Sequence, residues 1–235
     1  MTNKTFLVIT LSAMLAVTLA ISAVAVTMPI AAAEDDLNDN VPNPDSALYD
    51  TYTDGWVYWF LSTPSEFNLS NPELEEVDCS VNQSGHVWYL AGAFAPIEDG
   101  MATNPGDILE RDCLIPEGTK LLFPLANIFA NDLTADGAES FNYLITTLAS
   151  GSTDLVVVVD GVPLQNLELY QFQEFEAFEI DCQFEPFCDG QEFAVHAGNY
   201  IMINPLSPGQ HTIEFGGSYP DLGFQTGALY NITVG

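Results

Sequence analysis

Beyond its first 33 residues this chain carries two basic side chains, Arg111 and Lys120, against 33 acidic ones. Apolar residues make up 48% of the chain, with fifteen Phe, which suits an ordinary packed core. Charged residues reach only 15%, below the usual value of about 25%, so the surface is depleted of cations rather than loaded with acid. This excludes nucleic acid as a partner, because polyanion binding needs Lys and Arg to displace counterions from phosphates. It also disfavours an anionic membrane surface. Every acid lies after Ala33, so the remainder has a net charge of −31. Dissolved salt, bound divalent ions or protonation in an acidic medium must relieve that self-repulsion.

The first 33 residues read as a signal peptide. Lys4 supplies the positive start, Phe6 to Ile30 is almost unbroken apolar sequence, and Ala31-Ala32-Ala33 is a small-residue cleavage site before Glu34-Asp35-Asp36. The expected product is secreted or held at the cell surface, after cleavage near Ala33. The competing reading is an uncleaved N-terminal anchor, since the apolar run is long. All four cysteines, Cys79, Cys113, Cys182 and Cys188, lie beyond the leader, and an even count in an oxidising compartment argues for disulfides. Four cysteines allow three connectivities. The expected one is Cys79–Cys113 with Cys182–Cys188, the second closing a small loop. No C-x-x-C pair and no histidine at zinc-ligand spacing occurs. Asn68, Asn82 and Asn231 open N-x-S/T sequons, which permit surface glycans.

Residues 34–45 are acidic, apolar-poor and carry Pro42 and Pro44, the composition of a disordered tether. A helix is predicted from an Asp45 or Ser46 cap, with Leu48, Tyr52, Trp56 and Trp59 in one stripe and Pro64 ending it. That spacing makes both tryptophans core residues rather than a sugar platform. Gly55 weakens the helix. Val87 to Ala91 is predicted as a strand, and Arg111 to Ile115 with Lys120 to Leu125 as a hairpin around Pro116-Glu117-Gly118. A second helix is predicted over Gly137 to Ala149. Leu155 to Val159, Tyr200 to Ile203, His211 to Phe215 and Ala228 to Val234 read as strands. Between Gln165 and Phe193 lie eight acids and no base. There the alternation changes phase between Ala177 and Phe178, which predicts a bulged strand. The expected fold is mainly β: one β-sandwich-like domain over 46–235 with two accessory helices.

Several stretches give this chain a resemblance: Trp56/Trp59 running into Ser62-Thr63-Pro64; Gly85 to Gly92 (GHVWYLAG) after Cys79; and Arg111 to Lys120 (RDCLIPEGTK). Asp160 to Leu167 (DGVPLQNL) and Pro205 to Ile213 (PLSPGQHTI) continue it. They span most of the chain beyond the leader, and the chain resembles a family of uncharacterised exported microbial proteins. The resemblance implies export and no particular activity. Residues 171–193 match its pattern poorly.

No G-x-S-x-G, H-E-x-x-H, Walker loop or G-x-G-x-x-G is present. His86, His196 and His211 are far apart in sequence and read as structural strand histidines. Calcium is a possible ligand: Asp132, Asp136 and Glu139 surround a glycine turn, and hard cations take several carboxylate oxygens. The plainer alternative is that Asp132 and Asp136 begin a helix, where acids suit its positive end. Asp181, Glu185 and Asp189 form a second, weaker candidate. Arg111 and Lys120, the surviving cations, read either as a structural ion pair holding the hairpin to an acidic neighbour or as an anion-binding pair. The expected function is a non-enzymatic module that binds an extracellular polymer, divalent cations or a neighbouring subunit. One alternative is a secreted carbohydrate-active hydrolase using a carboxylate pair, with Trp88 and Tyr89 near the substrate. Another is a surface-filament subunit whose 34–45 segment adds as a strand to a neighbour.

Overall fold

A computed structural model describes residues 40–97, 102–185 and 188–235. The leader and residues 34–39 lie outside the described residues. The helices are α1 (Ala47–Leu61), α2 (Pro105–Ile108), α3 (Ala135–Glu139) and α4 (Asn142–Ala149). The strands are β1 (Val87–Tyr89), β2 (Ala93–Pro96), β3 (Glu110–Ile115), β4 (Lys120–Asp132), β5 (Thr153–Val159), β6 (Val162–Pro163), β7 (Gln171–Cys182), β8 (Gly190–Ile203), β9 (Gly209–Tyr219) and β10 (Phe224–Val234). One sheet runs β1-β4-β8-β7; the other runs β2-β10-β9-β5-β6, with β3 parallel to the far half of β10. The fold is mainly β and sandwich-like, with accessory helices, as expected.

Side-chain alternation on β4 and β8 explains how the layers stack. Phe123, opposite Ile201, stacks on Phe215 of the second sheet at 4.3 Å between ring centroids. The neighbouring residues point the other way, so Tyr200 meets Trp56 of α1 and the Met202 amide donates to the Tyr49 hydroxyl. At Leu125 the pairing slips, between Pro124 and Ala126. A side chain at Gly198 would sit 2.5 Å from the Ala126 carbonyl oxygen, so only glycine fits opposite this bulge. Beyond it, Ile128, Ala130, Val195 and Ala197 pack with Ala138, Ile145 and Ala149 of α3 and α4. The first sheet is thus covered by α1 on one face, and by the second sheet and then α3–α4 on the other.

Helix α1 starts at the predicted Ser46 cap, whose hydroxyl accepts from the Leu48 amide, but of the predicted stripe only Trp56 and Trp59 are buried. Its buried face is Tyr49, Thr53, Trp56, Val57 and Phe60, and Trp59 is buried beside it; Leu48 is 37% exposed. The Trp56 indole donates to the Leu90 carbonyl at 2.8 Å. The Tyr230 hydroxyl donates to the Ala91 carbonyl at 2.7 Å and accepts from its amide. Together they fix Leu90–Gly92, where the chain passes from the first sheet to the second.

Several expectations are corrected. Residues 111–115 and 120–125 are not a hairpin. β3 lies parallel to β10 and β4 lies parallel to β1, so the Pro116–Thr119 turn carries the chain between sheets. Local turn chemistry cannot reveal that. The second helix starts at Ala135 and is broken, because the Ser140 hydroxyl bonds back to the Gly137 carbonyl at 2.6 Å. The tether also ends earlier than residue 45. Val41 is buried in the core and the Asn204 amide donates to the Asn40 carbonyl, so the domain begins by Asn40. The predicted bulge in β7 is present, as a register shift between Glu174 and Phe178.

Both expected disulfides form, Cys79–Cys113 and Cys182–Cys188, with sequence separations of 34 and 6. Loop-closure entropy makes the first worth roughly 4 kcal/mol and the second about 2. In chemical denaturation, a Cys79→Ala/Cys113→Ala variant is expected to lose about twice the stability of Cys182→Ala/Cys188→Ala. Equal losses would contradict the entropic account.

Candidate functional site

Arg111 and Lys120 lie on strands of different sheets, and among the described residues neither forms an ion pair. Arg111 is 5% exposed. Its guanidinium donates to the carbonyls of Leu69, Leu74 and Glu110 at 3.0–3.1 Å and to that of Asn71. Burial lowers its pKa, yet four peptide dipoles meet it where a carboxylate was expected. It pins the 69–74 loop onto β3. The Lys120 ammonium donates to the Asn204 side chain. The ion-pair expectation is thus corrected: Arg111 is structural through carbonyls, which take four of its five N–H donors.

The calcium candidates also disperse. Asp132 accepts from the Thr134 amide and hydroxyl, Asp136 sits in the first turn of α3, and Glu139 accepts from the Ala177 amide at the β7 bulge. Among the described residues no three potential ligands are grouped closely enough for a metal. That holds for Asp181, Glu185 and Asp189 as well. Asp132 and Asp136 lie at the start of α3, as in the plainer reading, whereas Glu139 serves the β7 bulge.

The sequons differ in access. Asn68 is fully buried, donating to the Phe60 carbonyl and accepting from Ser70, so it is no glycan acceptor in the folded protein. Asn82 is exposed, with its amide on the Ser62 carbonyl and the Thr63 hydroxyl. Asn231 donates to Glu110.

Two histidines make carboxylate contacts that the sequence did not reveal. His196 is fully buried, with Nε2 2.9 Å from Asp54 and Nδ1 3.1 Å from the Tyr200 hydroxyl. That hydroxyl accepts from the Asn127 amide, so it donates to Nδ1, and Nε2–H donates to Asp54. One tautomer satisfies the chain from Asn127 to Asp54. Burial drives the Tyr200 pKa well above its ordinary value. Its hydroxyl ends on a side-chain amide that cannot relay a proton, and the solvent-facing member is the Asp54 carboxylate. A nucleophile must face its substrate, and the Tyr200 hydroxyl is fully buried.

His211 bonds Asp160 through Nδ1 at 2.7 Å and the Ser207 carbonyl through Nε2 at 2.8 Å. Both partners accept, so both bonds form only with the imidazolium. Desolvation lowers its pKa, but the Asp160 and Ser207 bonds outweigh it and the net shift is upward.

Three depressions are relevant. The first, about 620 Å³, lies on the outer face of β3, β10 and β9 around Asp112, Asp160, His211 and Asn231. A second, about 530 Å³, takes in Trp88, Asp78 and Asp112. A third, about 420 Å³, is lined by Gly55, Tyr58, Trp59 and Ser62 of the α1 region, by Asn82, Ser84 and Tyr89, and by Asp181 and Gln183. Trp88 and Tyr89 point to opposite sides of β1 and line different depressions. The carbohydrate-active-hydrolase alternative expected both near one substrate.

The third depression is the most fully built. Residues 55, 58, 59 and 62 are one helical stripe. A side chain at Gly55 would collide with the Tyr89 hydroxyl, which explains a glycine in mid-helix. The Gln83 side chain donates to the Tyr89 carbonyl and accepts from its amide, and the Trp59 indole donates to the Val81 carbonyl. The Gln183 amide ties to the Leu61 carbonyl at 2.8 Å. Burial first, then Tyr52 and Asp54, raises the Tyr89 pKa to about 12, so its phenol stays a neutral donor. The Ser62 hydroxyl is buried without a hydrogen-bond partner among the described residues.

No family model and no curated protein matches the chain. Among solved structures, amebosin (solution structure) is similar at 14% identity over 65% of this chain and 100% of that one. Its TM-score of 0.20 is too low to carry an argument.

The His211 contacts set a pH dependence. With the folded pKa raised, their stabilisation is complete below the unfolded pKa, about 6.5, and is lost as pH rises through the folded value. His211→Gln is expected to cost more stability at pH 5.5 than at pH 8.5. The gap should be at most about 1 kcal/mol, since Asp160 is half-exposed. Urea denaturation at both pH values checks this; an equal cost at both would contradict it.

Proposed function

We propose that this protein is an exported, non-catalytic module that binds a neutral extracellular polysaccharide in the groove between α1 and β1. The observation that carries the reading is the groove's lining. Tyr58 is 47% exposed and offers a ring face to a sugar. Tyr89 continues the aromatic wall, with the buried Trp59 beneath it, and Asn82, Ser84, Gln183 and Asp181 supply hydrogen-bonding groups. The unpartnered Ser62 hydroxyl leaves one buried bond for a ligand hydroxyl or a water to complete. Aromatic faces with a few convergent polar groups suit a polyol. No lining residue is basic, and a net charge of −31 repels polyanions, so the polymer is neutral. Two disulfides suit an oxidising exterior, and no described helix is long and apolar enough to cross a membrane.

Binding of the protein to a panel of neutral glucans, mannans and chitin, measured by pull-down and calorimetry, tests the proposal. Tyr58→Ala is expected to weaken the bound member about tenfold, roughly 1.4 kcal/mol, and Gly55→Ala to weaken it by displacing Tyr89. Phe67→Ala, an equally exposed aromatic change outside the groove, should leave affinity unchanged. If no neutral polymer binds, or the three variants behave alike, the proposal fails.

A further inference from the structure

The fold treats the three N-x-S/T sequons differently. Asn68 is fully buried with its amide nitrogen and oxygen both bonded, so a sugar there is incompatible with the folded chain. Asn231 stands on β10 between β3 and β9, half-buried, with its amide on Glu110. Asn82 meets neither constraint. It and Ser84, the first and third residues of its sequon, are both exposed. They lie in the turn before β1, where the Ser80 amide donates to the Asp78 carboxylate and the Gln83 amide to the Ser80 carbonyl. Asn82 has φ +55°, a left-handed conformation that asparagine tolerates. Its Nδ2 donates to the Ser62 carbonyl at 3.3 Å and to the Thr63 hydroxyl at 3.2 Å, both at the long end of the hydrogen-bond range.

We infer that Asn82 carries an N-linked glycan whose first sugar lies in the groove between α1 and β1 and closes it to free polymer. The closing rests on the reading of that groove as a polysaccharide site; the modification does not. In the transfer, Asn82 Nδ2 bonds the anomeric carbon of a sugar carried on a lipid phosphate. The bond from that carbon to the phosphate oxygen breaks, the lipid phosphate leaves, and Nδ2 releases one proton. The nitrogen keeps one N–H, enough for one of its two long bonds, so the sugar starts beside Ser62. Asn82 and Ser62 both line the groove. Tyr58 lies one helical turn back from Ser62 and offers a ring 47% exposed, with Tyr89 continuing the wall. Aromatic faces of this kind suit a sugar ring. A sugar tethered at the wall acts at an effective concentration on the order of millimolar, so it displaces a weakly held free polymer.

The test secretes the full chain from a host that N-glycosylates and, separately, into the oxidising compartment of one that does not. The first preparation should be heavier by a whole number of sugars. N-glycosidase should remove the excess and leave a carboxylate at Asn82, located by peptide mapping. Asn231→Gln should keep the excess, and Asn82→Gln should lose it. An unmodified Asn82, or a glycan carried only at Asn231, would overturn the proposal. Amide exchange across residues 55–62 and 82–89 should be slower in the glycosylated form, and Tyr58→Ala should narrow that difference. Equal exchange in the two forms would place the glycan in solvent and overturn the groove contact. Against the neutral polymers, the unglycosylated form should bind about tenfold more tightly or better. Equal affinity of the two forms would overturn the closing. Binding by neither form contradicts the polysaccharide reading, while mass and exchange still decide whether Asn82 is modified and where its sugar lies.

Discussion

The Arg111 guanidinium is the contact on which the loop-built half of the molecule depends. It is buried beneath a surface rich in carboxylates, yet it bonds to backbone carbonyls of Leu69, Asn71, Leu74 and Glu110. A carboxylate brought there would itself need desolvating, whereas carbonyls at the ends of turns need a donor in any case. One planar cation with several fixed N–H groups satisfies them together, which an ammonium could not do. The polypeptide between α1 and β1 has little regular structure, and this contact gives it a floor.

Two further ties complete that loop. The Cys79–Cys113 bond lies two residues along β3 from Arg111, and the Trp59 indole takes the Val81 carbonyl. Two depressions are built from what these ties position. Asn82 and Ser84 form a wall of the aromatic groove, and Val77 and Asp78 a wall of the depression beside β3. A chain with almost no cations has therefore used one of them to order a loop, so that the walls of these depressions carry aromatic rings, amides and carboxylates.

Much of the fold was legible because its signals are local. The Ser46 cap and the aromatic spacing gave α1, and the phase change at Ala177–Phe178 gave the bulge in β7. Cysteine placement gave both disulfides. Pairing between distant strands was not legible. Nothing in Arg111 to Lys120 distinguishes a hairpin from a turn that leads into the other sheet, because the choice is made by β10 more than a hundred residues later. The candidate sites suffered in the same way. Asp54 meets His196 across a separation of 142 residues, and Asn68 reads as an accessible sequon although its amide is consumed by Phe60 and Ser70. One signal was available and misread. Gly55 inside a strong helical pattern marked a close approach, here by Tyr89, rather than a weakness of the helix.

The central claim is that Arg111 orders the 69–84 loop and thereby the walls of both depressions. Amide hydrogen exchange on Arg111→Lys, compared with the unaltered protein, tests it most directly. Lysine keeps the charge but cannot reach four carbonyls at once. The account predicts faster exchange across residues 69–84, with β8 and β9 retaining their protection because the sheet interior does not depend on the loop. Unchanged exchange in 69–84, or an equal loss of protection throughout the sheets, would contradict it.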